Sequence, residues 1–300
     1  MNSDLAFPYL GEILALICAV FWAIAVILFK KSGEKTPPFS LNLYKNIIGT
    51  VLFLITFLVL DETLLLSVPV KEYIMLAISG IIGIYLADTL FLKSLNMLGA
   101  GLLAIVDCLY TPLVIILSYI FLKESLTLLQ IIGAMLIIGA LLESALYLPK
   151  YRIPKKDLIT GMSLGALAML LMAISIVMIK PILNHSLIMW VTEIRLLSAS
   201  VFMTIIAILH PNRKEIFKPF RPSADWKYLL PGAIMGTYLS MITWIAGLKF
   251  TLTGIATAIN QTSVIFIFIF AALFLKEKIT FRRLLGIIIA FSGVLLITFS

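Results

Sequence analysis

Apolar residues in this chain run in unbroken stretches, without the every-second-residue alternation of a half-buried strand or the narrow stripe of a surface helix. Ten such runs cover approximately residues 11–30, 40–60, 73–95, 100–122, 127–148, 158–180, 187–209, 227–249, 254–275 and 281–299. Each is near the roughly 20 helical residues that cross a hydrocarbon core of about 30 Å. Continuous runs exclude a transmembrane β-barrel, whose strands alternate lipid-facing and lumen-facing residues. The pattern predicts an all-α polytopic membrane protein with ten transmembrane helices. The first run reads as a retained helix and not a cleaved signal, because the ten residues before it hold Asp4 and no Lys or Arg.

The runs are written twice. Advancing 153 positions carries Phe121-Leu122-Lys123-Glu124 onto Phe274-Leu275-Lys276-Glu277, Thr127 onto Thr280, Gly83 onto Gly236 and Tyr85 onto Tyr238. An offset of 150 carries Gly11 onto Gly161, Lys30 onto Lys180 and Lys45 onto Arg195. Residues 1–148 and 158–300 are therefore expected to be two five-helix repeats, joined by a linker over 149–157 that holds Pro149, Pro154 and several basic residues. Five crossings is an odd number, so the second repeat enters from the opposite face and the two are inverted. Small residues at Gly161 and Gly165, at Gly232 and Gly236, and at Ser79 and Gly83 predict close helix packing, with helices three and eight packed inside their own bundles.

Composition sharpens this reading. A content of 62% hydrophobic and 13% charged residues leaves too little polar surface for a water-soluble globule. The net charge of +8 follows from basic loops and requires no nucleic-acid partner. Lys30, Lys31, Lys35, Lys150, Arg152, Lys155, Lys156, Arg213, Lys214, Lys218 and Arg221 lie on the side facing neither terminus. Placing that side in the cytoplasm of a cell-membrane protein puts both termini outside. Cys18 and Cys108 sit within apolar runs with no metal-ligand spacing, so neither a disulfide framework nor a metal is expected. The loop from His210 to Asp225 reads as a solvated connector or a gate.

Polar residues at membrane depth carry the functional signal, because each costs roughly 2.5–3.5 kcal/mol at a helix centre. Asp88 and Asp107 lie at similar distances from the turn between the third and fourth runs, about 14 Å deep at 1.5 Å per residue. They either share a coupling proton or are tied to basic residues, with Lys45 and Lys93 the candidates. Asp88 falls on Met241 and Asp107 on Asn260, so one half holds the acids alone. Asn260, Gln261, Thr262 and Ser263 are expected to line a cavity in the other half. Lys45 and Arg195 either snorkel to the interface or face that cavity and attract an anionic or zwitterionic solute. Tyr85 with Tyr238, and Phe91 with Trp244, form aromatic walls or pack as core. Pro112 in the fourth run removes a backbone hydrogen bond and is the hinge candidate, whereas Ile265 in the other copy shows no such break. The repeated Glu124 and Glu277 are expected to meet the start of the helix that follows each.

The proline of the fourth run, the segment Phe121 to Gly133, its echo Phe274 to Gly286, and the basic residue early in helices two and seven resemble the EamA branch of the drug/metabolite transporter superfamily. The resemblance implies a ten-helix secondary carrier that works by alternating access. It also implies a solute site between the halves and export of a small metabolite such as an amino acid; no organic cofactor is expected, and a proton is the coupling ion that the two aspartates suggest. A channel or a non-transporting scaffold is the alternative. No Gly-x-x-x-x-Gly-Lys-Ser/Thr or His-Glu-x-x-His occurs, so neither an ATP-driven pump nor an intramembrane enzyme is expected.

Overall fold

The computed structural model describes residues 9–61, 63, 64, 66–123, 127–146, 154–183, 185–250, 259–277 and 280–298. Every regular element among them is helical. In chain order these are α1 (Leu10–Ser32), α2 (Pro38–Val59), α3 (Val70–Leu98), α4 (Ala100–Leu122), α5 (Leu128–Leu146), α6 (Lys155–Leu183), α7 (Ile188–Leu209), α8 (Trp226–Ala233 continuing through Ile234–Leu239 and Ser240–Phe250), α9 (Ser263–Phe274) and α10 (Phe281–Thr298). Seven, α1 to α4 and α6 to α8, are long and apolar enough to cross a membrane; Leu128–Ala140, Ser263–Phe274 and Leu284–Ile297 are shorter apolar stretches in α5, α9 and α10. The upstream part of the ninth run, residues 251–258, lies outside the described residues. So does the expected linker as far as residue 153, and its remainder already begins α6 at Lys155.

Local chemistry sets the helix ends. Pro38 occupies the first position of α2, where its missing N–H costs nothing, and α3 follows Pro69. Gly99, at φ 81°, makes the sharp turn between α3 and α4. A reciprocal pair opens α5: Thr127 Oγ1 accepts from the Gln130 N–H at 3.2 Å, and Gln130 Oε1 accepts from the Thr127 N–H at 3.1 Å. The repeated Lys123 and Lys276 both take left-handed backbone angles, φ 57° and 55°, as α4 and α9 end.

Helices pair across the two halves of the chain. α1 packs along α8 and α3 along α6, while α2 meets α7, α4 meets α9 and α5 meets α10. The small residues make these approaches possible. A Cβ on Gly83 would lie 2.2 Å from Ser175 Oγ of α6, and one on Gly236 would lie 2.8 Å from the Ala25 Cβ of α1. Gly133 and Gly293 bring α5 and α10 equally close, each standing where a Cβ would meet the other's carbonyl at 2.6 Å. The expectation that helices three and eight pack inside their own bundles is therefore corrected, since their small faces are used against the other half. Ser79 and Ser94 of α3 reinforce this by donating to the α6 carbonyls of Ser175 and Gly161 at 2.9 and 2.8 Å.

Two departures from the α-helix recur at matching positions. Ile81–Ala87 of α3 and Ile234–Leu239 of α8 are π-helical and begin 153 residues apart. α4 is interrupted by a turn at Cys108 and Leu109, and the helix leading into α9 by a turn at Gln261 and Thr262, again 153 apart. Pro112 lies just past the first turn, where its missing N–H leaves the Cys108 carbonyl without a helical donor. The second turn forms without proline: the Ile265 N–H bonds the Thr262 carbonyl three residues back at 2.9 Å, and Thr262 Oγ1 donates to the Ile259 carbonyl at 2.6 Å. An unbroken ninth helix, expected from Ile265, is thus corrected; both copies break at one place.

The loop from His210 to Asp225 is packed as well as solvated. Phe220 packs at a tilt on Tyr44 at 5.1 Å, Trp226 Nε1 donates to the Pro219 carbonyl at 2.8 Å, and Lys35 pairs with Asp225 at 2.9 Å. The Asp225 hydrogen bond and charge raise the Lys35 pKa above the usual lysine value.

Candidate functional site: a cavity between the halves

A cavity of about 210 Å³ lies where α1, α2, α3 and α4 face α6, α7 and α8. Its charged lining comes from α2, α3 and α7: Lys45, Asp88 and Arg195. Tyr110, Asn46, Thr192 and Thr237 add polar groups, and Trp22, Ile176 and Met241 belong to its apolar wall.

The π-helical segment explains how α3 presents Asp88. A wider turn frees backbone carbonyls from their usual donors, and such segments recur at functional sites. Here Asn42 of α2 supplies the donors, giving Nδ2 to the carbonyls of Ile84 and Tyr85 at 2.9 and 3.1 Å and to Thr89 Oγ1 at 2.9 Å. Asn46 donates to Asn42 Oδ1 at 3.0 Å, and Lys45 donates to Asn46 Oδ1 at 3.0 Å. Lys45 Nζ also reaches Asp88 Oδ2 at 2.6 Å, with the two side chains 9% and 18% exposed. One polar chain therefore runs from the π segment through α2 to the ion pair. Lys45 does not snorkel, and Asp88 is held by a cation.

Arg195 is 9% exposed and lines the same cavity. Its Nη2 donates to Ser175 Oγ at 3.2 Å, and its Nε has no hydrogen-bond partner among the described residues. Asp88 and Tyr110 lie within its electrostatic reach.

Other residues singled out in the sequence fall elsewhere. Asp107 ends the first segment of α4 at the break and does not line the cavity, so a cavity shared by two carboxylates is not formed. Gln261 Nε2 donates to Thr111 Oγ1 at 2.9 Å, tying the break before α9 to the one in α4. Asn260 Oδ1 is buried without a partner among the described residues, and Ser263 is buried at the start of α9; neither is among the described lining of the cavity. Tyr85 packs between Phe39 and Phe202 at 5.9 and 5.7 Å. Tyr238 packs on Phe53 at 5.4 Å and shares a hydrogen bond with Thr56. These two tyrosines form no wall of the cavity, and Trp244, half-buried, does not line it either. Phe91 is core, against Trp22 at 6.1 Å.

The repeated glutamate reaches a helix that the sequence did not point to. Glu277 accepts from the N–H groups of Ala100 and Gly101 at 2.9 and 3.1 Å, so it caps α4 of the other half. Glu124 lies outside the described residues. Glu193, two residues before Arg195 and so on a different side of α7, was given no role by the sequence; it is fully buried, with neither carboxylate oxygen bonded among the described residues. An acid within an apolar run, one turn before Leu197, was the available signal.

A multi-pass helical membrane protein with a charged central cavity is the class that this geometry defines. The comparisons agree: the EamA-like transporter family matches residues 9–144 and again 159–299. The chain belongs to that family and is a membrane transporter. It is 25% identical over 285 residues to an uncharacterized transporter of Archaeoglobus fulgidus, covering 95% of this chain and 96% of that one. A 126-residue stretch, 42% of this chain, is 31% identical to an uncharacterized protein of Methanocaldococcus jannaschii and covers 89% of it. A solved crystal structure superposes with a TM-score of 0.66 over 95% of both chains at 14% identity, a likeness of fold.

Proposed function

We propose that the chain is a secondary carrier that moves a small polar metabolite by alternating access, built from two inverted five-helix repeats of ten crossings, residues 1–148 and 158–300. The observation that carries this reading is the cavity itself, lined by charged residues from both halves. Reciprocal contacts support the inversion. Tyr85 of the first half packs on Phe202 of the second, and Tyr238 of the second packs on Phe53 of the first. Thr50 and Ser200, equivalent at the 150-residue offset, meet each other at 3.1 Å, as residues astride a two-fold axis must. Paired bundles related in this way exchange which side is open.

Export is the direction that the family resemblance implies, and a proton is the coupling ion, with Asp107 the acid to test by Asp107→Asn. Purified protein in liposomes should show saturable counterflow of a solute first identified by its thermal stabilisation of the protein. Unitary currents without counterflow would establish a channel in its place.

A further inference from the structure

We infer that the solute is an organic anion carrying one carboxylate on an apolar body, and that Arg195 binds the carboxylate; this rests on the carrier reading above. Charge makes the argument. Among the described lining residues, the charged groups are Lys45, Asp88 and Arg195. Asp88 is already bonded by Lys45 at 2.6 Å, which leaves the guanidinium as the surplus charge. Glu193 is two residues from Arg195 on α7 but lies outside the lining, and no salt bridge joins them among the described residues. A guanidinium keeps its charge at any physiological pH, so a buried one needs an anion or hydrogen-bond acceptors. Among the described residues Arg195 has one acceptor, the neutral Ser175 hydroxyl, and an Nε–H without a partner.

The chemistry of the guanidinium says what would suit it. Nε–H and an adjacent Nη–H form the fork that receives two carboxylate oxygens side by side, roughly twice as strong as neutral hydrogen bonds. The rest of the lining favours a simple carboxylate over a zwitterion. An α-ammonium group is best met by an anion; the one lining carboxylate is already paired with Lys45, and the other acceptors, on Asn46, Tyr110, Thr192 and Thr237, are uncharged. Trp22, Ile176 and Met241 offer an apolar wall to the body of the solute, and about 210 Å³ limits it to a small molecule.

The test uses the full chain in detergent and matched compounds: acids from propionate to 3-phenylpropionate, each with its amide and its α-amino derivative. Thermal stabilisation should appear with at least one acid, and be absent with its amide. Affinity for the α-amino derivative should be about tenfold lower or worse, the equivalent of one poorly satisfied charged group. Arg195→Gln should abolish the stabilisation, and Arg195→Lys should keep part of it. Equal stabilisation by acid and amide, or an undiminished acid effect in Arg195→Gln of normal basal Tm, overturns the assignment. If Arg195→Gln does not fold, Arg195→Lys and the acid-amide comparison on the unaltered chain decide the matter. Counterflow separates the two readings. An acid that binds through Arg195 without counterflow removes the carrier and leaves the anion site, whereas counterflow of amides that survives Arg195→Gln removes the anion site and leaves the carrier.

Discussion

The two halves of this transporter share a backbone and differ in chemistry. α3 and α8 both carry a π-helical segment, and the route into α4 and α9 breaks at the same place. What satisfies the freed groups is only partly shared. In both, a hydroxyl of the same helix donates four residues back: Thr89 Oγ1 to the Tyr85 carbonyl in α3, and Ser240 Oγ to Gly236 at 2.6 Å and Thr243 Oγ1 to Leu239 at 2.7 Å in α8. In α3, Asn42 also reaches over from α2 to the carbonyls of Ile84 and Tyr85. Beside the first segment stands an ion pair; beside the second, Met241 takes the place of the acid, and Arg195 is left with no carboxylate bonded to it among the described residues. The backbone departures are alike at these positions, and the ion pair stands beside only the first of them.

The largest expected effect tests that asymmetry. Asp88→Asn leaves a buried ammonium without its anion, and removing one partner of such a pair typically costs about 3–5 kcal/mol. Arg195→Met in the other half orphans no charge, and replacing an unpaired buried cation by an apolar side chain should change stability little or raise it. Thermal unfolding of both variants in detergent gives the contrast directly. If Arg195→Met proves as destabilising as Asp88→Asn, Arg195 has an anionic partner within the protein, and the contrast between the halves collapses.

A middle-sized effect tests the shared frame. Gly83→Ala would drive a methyl group against Ser175 and Gly236→Ala one against Ala25, at positions equivalent in the 153-residue register. Overpacking of this kind costs about 1–3 kcal/mol, and the two variants should lose comparable stability. Loss in one alone would show that α3 with α6 and α8 with α1 are not the same joint.

Much of the frame is legible in the sequence. The apolar runs place the helices within a few residues, the repeat places equivalent positions, and Lys45 is among the basic residues that could tie down Asp88. The π segments are invisible there because they change hydrogen-bond ring size without changing composition. Which half a small-residue face packs against is invisible too, since Gly83 and Gly236 read the same whether the neighbour is in their own bundle or in the other. Glu277 shows the limit most clearly: its sequence neighbours point to the helix after it, but its carboxylate accepts from Ala100 and Gly101, far away along the chain.

Proline in α4 offers the smallest effect and the finest test of equivalence. Its twin position holds Ile265, whose N–H already bonds three residues back to Thr262 and leaves the turn at Gln261 and Thr262 intact. A break that forms without proline in one copy does not need it in the other, where Leu109 also bonds three residues back, to the Val106 carbonyl at 3.0 Å. Pro112→Ala should therefore keep the break, cost under about 1 kcal/mol through the freer unfolded chain, and leave the transport rate within about twofold. Transport lost at unchanged Tm would mean that α4 swivels on its proline while the helix into α9 does not, and the common hinge would have to be given up.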